Sequence, residues 1–214
     1  MIRNIIWDID GTLFDTYPPI ARAFKNAIEH LRKDASVERI EELSKISLGH
    51  CVAILSLECG LEEEDIEREF KRYYEKISAE ESPPFRGVVE ICNYICSING
   101  KNVVVTHRGR AGTVELLSAH NLIDKFADFI VRDDGYPRKP DPAAFIVVLE
   151  RNNLKREDTI SIGDRDIDIA AGQSAGIFSC LYGSNGNSVR PDLVVDDFED
   201  LYRFILDRNT ELER

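Results

Sequence analysis

Asp8 and Asp10 stand two residues apart in the stretch Trp7-Asp8-Ile9-Asp10-Gly11-Thr12-Leu13-Phe14-Asp15. The apolar run before them, with Ile5, Ile6, Trp7 and Ile9, reads as a buried strand. In extended chain, residues i and i+2 point the same way, roughly 6–7 Å apart along the strand. Like charges held close repel: at an effective dielectric of about 20, a pair at ~4 Å costs about 4 kcal/mol. Such a pair calls for a cation, a shared proton or both. The plain alternative is a solvated Asp-x-Asp-Gly turn, but a core strand has no structural reason to end on two acids, so the stretch is read as chemistry.

Three more apolar segments end in reactive side chains. Asn102–Val105 is followed by Thr106-His107-Arg108, Thr159–Gly163 by Asp164-Arg165-Asp166-Ile167-Asp168, and beyond a third segment lies Tyr136-Pro137-Arg138-Lys139-Pro140. In open parallel α/β sheets, ligands bind beyond the carboxyl ends of the strands, so these ends are expected to meet. Thr106 sits at a strand-to-helix turn, where free main-chain N–H groups favour an anion and where a simple cap is the alternative. Asp164 and Asp168, four apart at a helix start, are expected on one helical face, with an N-cap as the plain reading of Asp164. His107, Arg108, Arg110, Arg138, Lys139 and Arg165 all fall near these ends, a clustering that suits a phosphate ester. No Gly-x-Gly-x-x-Gly and no Walker lysine loop occurs, so neither a dinucleotide fold nor a P-loop is indicated.

The elements that must position these groups follow from periodicity. Strands are expected at Ile2–Ile9, Asn102–Thr106, Phe129–Arg132, Thr159–Gly163, Phe178–Tyr182 and Leu193–Val195. From Asn102 on they alternate with helices, which implies crossover units and a parallel sheet. Asp141 is expected to cap a helix with Pro142 in its first position, and Gly176 to stop one that runs from Arg165 to about Ala175. Between Asp15 and Pro83 helical spacing takes over: Ile20, Phe24, Ala27, Ile28 and Leu31 form one stripe, Ile66, Phe70, Tyr73, Tyr74 and Ile77 another, with further helices over Val37–Ile46 and Leu48–Cys59. The fold class is therefore α/β, a Rossmann-like parallel sheet with helices on both faces, made of residues 1–15 and 83–214, with a helical cap over 16–82 inserted between the first two strands. Cys92 and Cys96 fall among apolar residues and read as core, and Asp166 as surface.

Composition bounds the partners. The 214 residues are 43% hydrophobic and 31% charged, an ordinary globular balance, and the net charge of −12 argues against nucleic acid and anionic membrane. No apolar run approaches the ~20 residues of a membrane span. Five irregularly spaced cysteines, and an N-terminus that enters a strand directly with no signal peptide, point to a reducing, cytoplasmic setting.

The four segments resemble, in order and spacing, the motifs of the haloacid dehalogenase-like (HAD) superfamily, and residues 16–82 resemble the helical cap of its phosphoglycolate phosphatase and β-phosphoglucomutase branch. The resemblance covers nearly the whole chain. It implies that Asp8 is a nucleophile that forms an aspartyl-phosphate and that Asp10 is the general acid and base. It implies further that Thr106 and Lys139 contact the phosphate. Asp8, the Asp10 main-chain carbonyl and Asp164 would hold Mg²⁺ directly and Asp168 through water, a hard-oxygen set suited to that ion. Gly11, His107 and Arg108 are the candidate substrate contacts. An acid at Asp10 favours phosphate monoesters, so the expected activity is a Mg²⁺-dependent phosphatase acting on a small phosphorylated metabolite, with the cap as lid. A phosphosugar mutase is the alternative, as is, further off, a non-catalytic binding protein. Ser36–Ser82 carries 13 acidic and 6 basic residues, which disfavours the second anion site a mutase needs; Arg22, Lys25 and His50 are the cap residues left for such a contact.

Overall fold

The computed structural model describes residues 1–183 and 188–210. Strands β1 (Asn4–Trp7), β2 (Lys101–Val105), β3 (Phe126–Ile130), β4 (Thr159–Gly163), β5 (Phe178–Tyr182) and β6 (Leu193–Val195) form one sheet in the order β3-β2-β1-β4-β5-β6. Every neighbouring pair is parallel. The helices are α1 (Tyr17–His30), α2 (Val37–Ile46), α3 (Leu48–Cys59), α4 (Glu63–Tyr74), α5 (Val88–Ser97), α6 (Arg110–Ala119), α7 (Ala143–Asn152), α8 (Asp166–Ser174) and α9 (Phe198–Thr210). Among the described residues, no helix is long and apolar enough to cross a membrane.

Parallel strands are covered on both sides, which is why β1 is wholly buried and, after Asn4, runs through the apolar Ile5, Ile6 and Trp7. Alternate residues face opposite layers. Ile6, Val103, Val105 and Ile130 pack with Phe145, Val148 and Leu149 of α7 and Ala171 of α8. On the other side Trp7 lies 6.0 Å from Phe198 of α9. Its indole N–H donates to Asn102 Oδ1 at 3.1 Å, while the Asn102 amide donates to the Cys92 carbonyl on α5 at 3.0 Å. A polar residue inside β2 is thereby satisfied rather than stranded.

The chain divides into two units, Met1–Phe14 with Pro84–Arg214, and Asp15–Pro83. The second is a helical bundle with its own core, in which Ile20, Phe24 and Ile28 of α1 meet Ile40, Leu43, Leu55 and Ile66. Phe24 and Phe70 stack at 3.9 Å. Its helix boundaries are chemically marked: Ser36 Oγ accepts from Arg39 N, Ser47 Oγ accepts from His50 N, and Gly60 ends α3 in the left-handed conformation. Within this unit Arg22 pairs with Glu81, and Lys25 with Glu29 and Asp34.

Four local expectations need correction. The first strand ends at Trp7, not Ile9, because the Ile9 carbonyl turns to accept from the N–H groups of Thr12, Leu13 and Phe14. The third strand is Phe126–Ile130, not Phe129–Arg132: Asp128 is tolerated on this edge strand because its carboxylate takes Arg151 and Asn152. Helix α7 begins at Ala143, one residue after Pro142, with Asp141 Oδ1 accepting from Ala143 N. Asp166 is half-buried, and its Oδ2 accepts from Ser188 N at 2.9 Å.

Candidate active site

The carboxyl ends of β1, β2 and β4 deliver Asp8, Thr106 and Asp164, each the residue just past its strand. Asp8 N still donates to Ile162 O, and Thr106 N to Ile130 O, so the sheet ladder holds both backbones. Gly11, at a φ of 76°, closes the turn that carries the chain off β1, and Gly11 N donates to Phe14 O. Lys139 reaches back from the loop after β3.

Its ammonium lies 2.6 Å from Asp8 Oδ1 and 2.5 Å from Asp168 Oδ1, and it donates to the Val105 carbonyl at 3.2 Å. The lysine side chain is 1% exposed and its two acidic partners 3%. Burial alone would pull the Lys139 pKa down, but Asp168 and Asp8 outweigh it and the net direction is up. The Asp8 carboxyl is pushed up to about 6, first by burial; Lys139 opposes that rise, Asp168 adds to it, Arg165 opposes it, and Asp10 contributes least. The like charge that bears most on Asp8 is therefore a chain-distant aspartate, not the sequence neighbour two residues on.

Asp8, Asp164 and Asp168, all buried, each bring a carboxylate oxygen within 4.8 Å of the others. Asp8 Oδ2 is buried with no hydrogen-bond partner among the described residues. Three acids against the Lys139 ammonium and the Arg165 guanidinium, 3.9 Å from Asp164 Oδ1, still leave an excess of negative charge, and hard carboxylate oxygens suit a divalent cation such as Mg²⁺. These residues fit the ion. The route to the convergence differs from expectation, however. Asp164 does not lie on the helix, because Arg165 is the N-cap of α8; of the two, only Asp168 sits in its first turn, with Oδ2 accepting from Arg165 N at 3.2 Å. Asp164 comes from the strand end and Asp168 folds back to meet it.

The candidate substrate contacts have protein partners. Arg108 forks onto Asp10, with Nη2 2.6 Å from Oδ1 and Nε 3.2 and 3.3 Å from the two oxygens. Arg108 N donates to Thr106 Oγ1 at 3.1 Å. His107 Nε2 accepts from the main-chain N–H of Lys139 at 2.9 Å, and its Nδ1 lies 3.4 Å from Arg138. Burial first, then Lys139, Arg138 and Arg165, push the His107 pKa down to about 4, so the ring is neutral and free to accept.

Gly163, legible in the sequence as the strand-end residue before Asp164 but with no role attached to its missing side chain, serves no left-handed turn. A Cβ there would lie 2.2 Å from Asp168 Cβ, so the strand must end in glycine for Asp168 to close on the site. The signal available was its place directly before Asp164. The cysteines behave as core or bystanders: Cys92 is fully buried, Cys96 partly, and all five are free thiols.

The sequence model of the haloacid dehalogenase-like hydrolase family matches residues 5–182. Phosphoglycolate phosphatase of Photobacterium profundum is 28% identical over 94% of both chains. That of Nitrosospira multiformis is 31% identical over 86% of this chain and 85% of its own. Among solved structures, a predicted phosphoglycolate phosphatase from Haemophilus somnus superposes with a TM-score of 0.83 at 22% identity, over 95% of this chain and 98% of that one. CbbY from Rhodobacter sphaeroides in complex with phosphate gives 0.74 at 21%, over 94% and 96%.

Proposed function

The chain belongs to the haloacid dehalogenase-like hydrolases, and we propose that it is a Mg²⁺-dependent phosphatase of small phosphate monoesters, with 2-phosphoglycolate the first candidate substrate. The observation that carries this reading is the Lys139 ammonium seated between buried Asp8 and Asp168, with Asp164 alongside. It supports the reading because a buried cation beside a carboxylate meets the charge an incoming phosphoryl group would bring to Asp8 as nucleophile.

In the proposed reaction an Asp8 carboxylate oxygen forms a bond to phosphorus as the ester oxygen leaves. Asp10 gives that oxygen its proton, and an aspartyl-phosphate remains on Asp8. Asp10 then takes a proton from water, whose oxygen attacks phosphorus and frees inorganic phosphate and Asp8. With its pKa held near 6, Asp8 is mostly ionised at neutral pH, as a nucleophile must be. Thr106 and Lys139 orient the phosphoryl oxygens. Asp8, Asp164 and the Asp10 main-chain carbonyl, with Asp168 through water, would hold Mg²⁺, which when bound neutralises charge on the phosphoryl group and the acids together. The substrate choice is supported by the names of relatives similar to this chain over most of their length.

Phosphate release from a panel of phosphorylated metabolites, with Mg²⁺ and with chelator, tests the reading. Asp8→Asn is expected to lower turnover by about a thousandfold or more while circular dichroism stays unchanged. Comparable activity in that variant removes Asp8 as nucleophile. Interconversion of sugar phosphates without phosphate release would make the protein a mutase instead.

A further inference from the structure

We propose that Arg108 selects substrates whose leaving group carries a carboxylate on the carbon that bears the ester oxygen. The inference rests on the phosphatase reading and concerns the leaving-group end of that site. Lys139 already serves the phosphoryl end through Asp8, so a second cation is not required there. Arg108 instead forks onto Asp10, the group assigned to the leaving oxygen, which places its guanidinium within one hydrogen bond of where that oxygen departs.

The backbone of Arg108 is fixed at both sides. Its N–H donates to Thr106 Oγ1 at 3.1 Å and its carbonyl accepts from Arg132 N at 3.0 Å. The base of the side chain is thus tied to a phosphate-site residue while its head reaches the acid. The arginine side chain is 14% exposed and that of Asp10 28%, so the pair is largely shielded, with its more open side at the carboxylate. A guanidinium fork matches a carboxylate in plane and spacing. A substrate carboxylate arriving beside Asp10 presents the same acceptor to the same donors, and shares or takes over the fork. An uncharged leaving group offers no such partner.

The test compares kcat/KM for 2-phosphoglycolate and for p-nitrophenyl phosphate, in the full chain with Mg²⁺, for wild type, Arg108→Gln and Arg108→Lys. In Arg108→Gln the ratio of the two values is expected to fall about 10- to 100-fold, carried mainly by KM for phosphoglycolate. Arg108→Lys, which restores charge without the fork, is expected to recover part of the ratio. Competitive inhibition by free glycolate should weaken in Arg108→Gln while inhibition by inorganic phosphate persists. An unchanged ratio, or equal losses on both esters, overturns the assignment and leaves the phosphatase reading standing. Wild-type protein that hydrolyses other phosphate esters but not 2-phosphoglycolate overturns the assignment alone, and one that releases phosphate from no ester of the metabolite panel overturns both.

Discussion

His107 shows how a residue can serve a site without facing its ligand. The ring takes the Lys139 main-chain N–H at 2.9 Å, so it holds the backbone from which the buried ammonium reaches Asp8. Protonation would replace that acceptor with a donor. In the unfolded chain the imidazole takes its proton near the ordinary value of about 6.5, whereas in the folded protein it resists until about 4. Across that window the unfolded state binds more protons, so folding stability declines as pH falls from the upper value to the lower. Gln at this position keeps an acceptor and cannot titrate. Urea unfolding at pH 7 and pH 4.5 should therefore show a smaller loss for His107→Gln than for wild type, and parallel losses would remove His107 as the linked group. The types and spacing of Asp8, Thr106, Asp164 and Asp168 made them readable in the sequence as groups gathered beyond strand ends, whereas Lys139, in the loop after β3, was readable mainly through the family resemblance. The partners of His107 and Arg108 were not readable, because both contacts join segments far apart in the chain and nothing local selects them.

At the level of elements, periodicity carries far where packing is amphipathic. Helices α2 and α3 lie over the expected spans because Ser36, Ser47 and Gly60 mark their ends with side-chain or backbone chemistry. The edge strand β3 slipped because its solvent-side register depends on Asp128 finding Arg151, a tertiary contact. The end of β4 is the sharper case, since what matters at Gly163 is an absent side chain. Gly163→Ala would press a methyl group into Asp168, with Cβ atoms 2.2 Å apart before relaxation. Overpacking of this kind costs about 1–3 kcal/mol, and here the displaced group is one of the three clustered acids. The variant is expected to fold with a lower thermal midpoint, and to need a higher Mg²⁺ concentration for half-maximal phosphate release. A lowered midpoint with an unshifted Mg²⁺ response would separate Gly163 from the site.

For the molecule as a whole, the chain enters and leaves the helical unit at one place. Asp15 N donates to Pro83 O at 2.9 Å, Phe14 and Pro84 form an antiparallel bridge, and Phe85 N donates to Leu13 O at 3.0 Å. Two crossings laid side by side in this way are the start of a hairpin, and a hairpin is closed by a two-residue turn such as Asn-Gly. Among the described residues, the hydrophobic cluster around β1–β3 and α7 draws on none between Asp15 and Pro83, and the cluster around α1–α4 draws on none outside it. Excising residues 16–82 and joining Asp15 to Pro83 through Asn-Gly is therefore expected to leave a core that unfolds cooperatively in urea. Its m-value should be reduced roughly in proportion to the surface removed. Because Asp8, Asp164, Asp168 and Lys139 all lie in the retained unit, the same protein should still bind Mg²⁺ in calorimetry. A non-cooperative transition would mean that the bundle contributes to the stability of the sheet, and cooperative folding without Mg²⁺ binding would mean that the acids need the bundle to hold their arrangement.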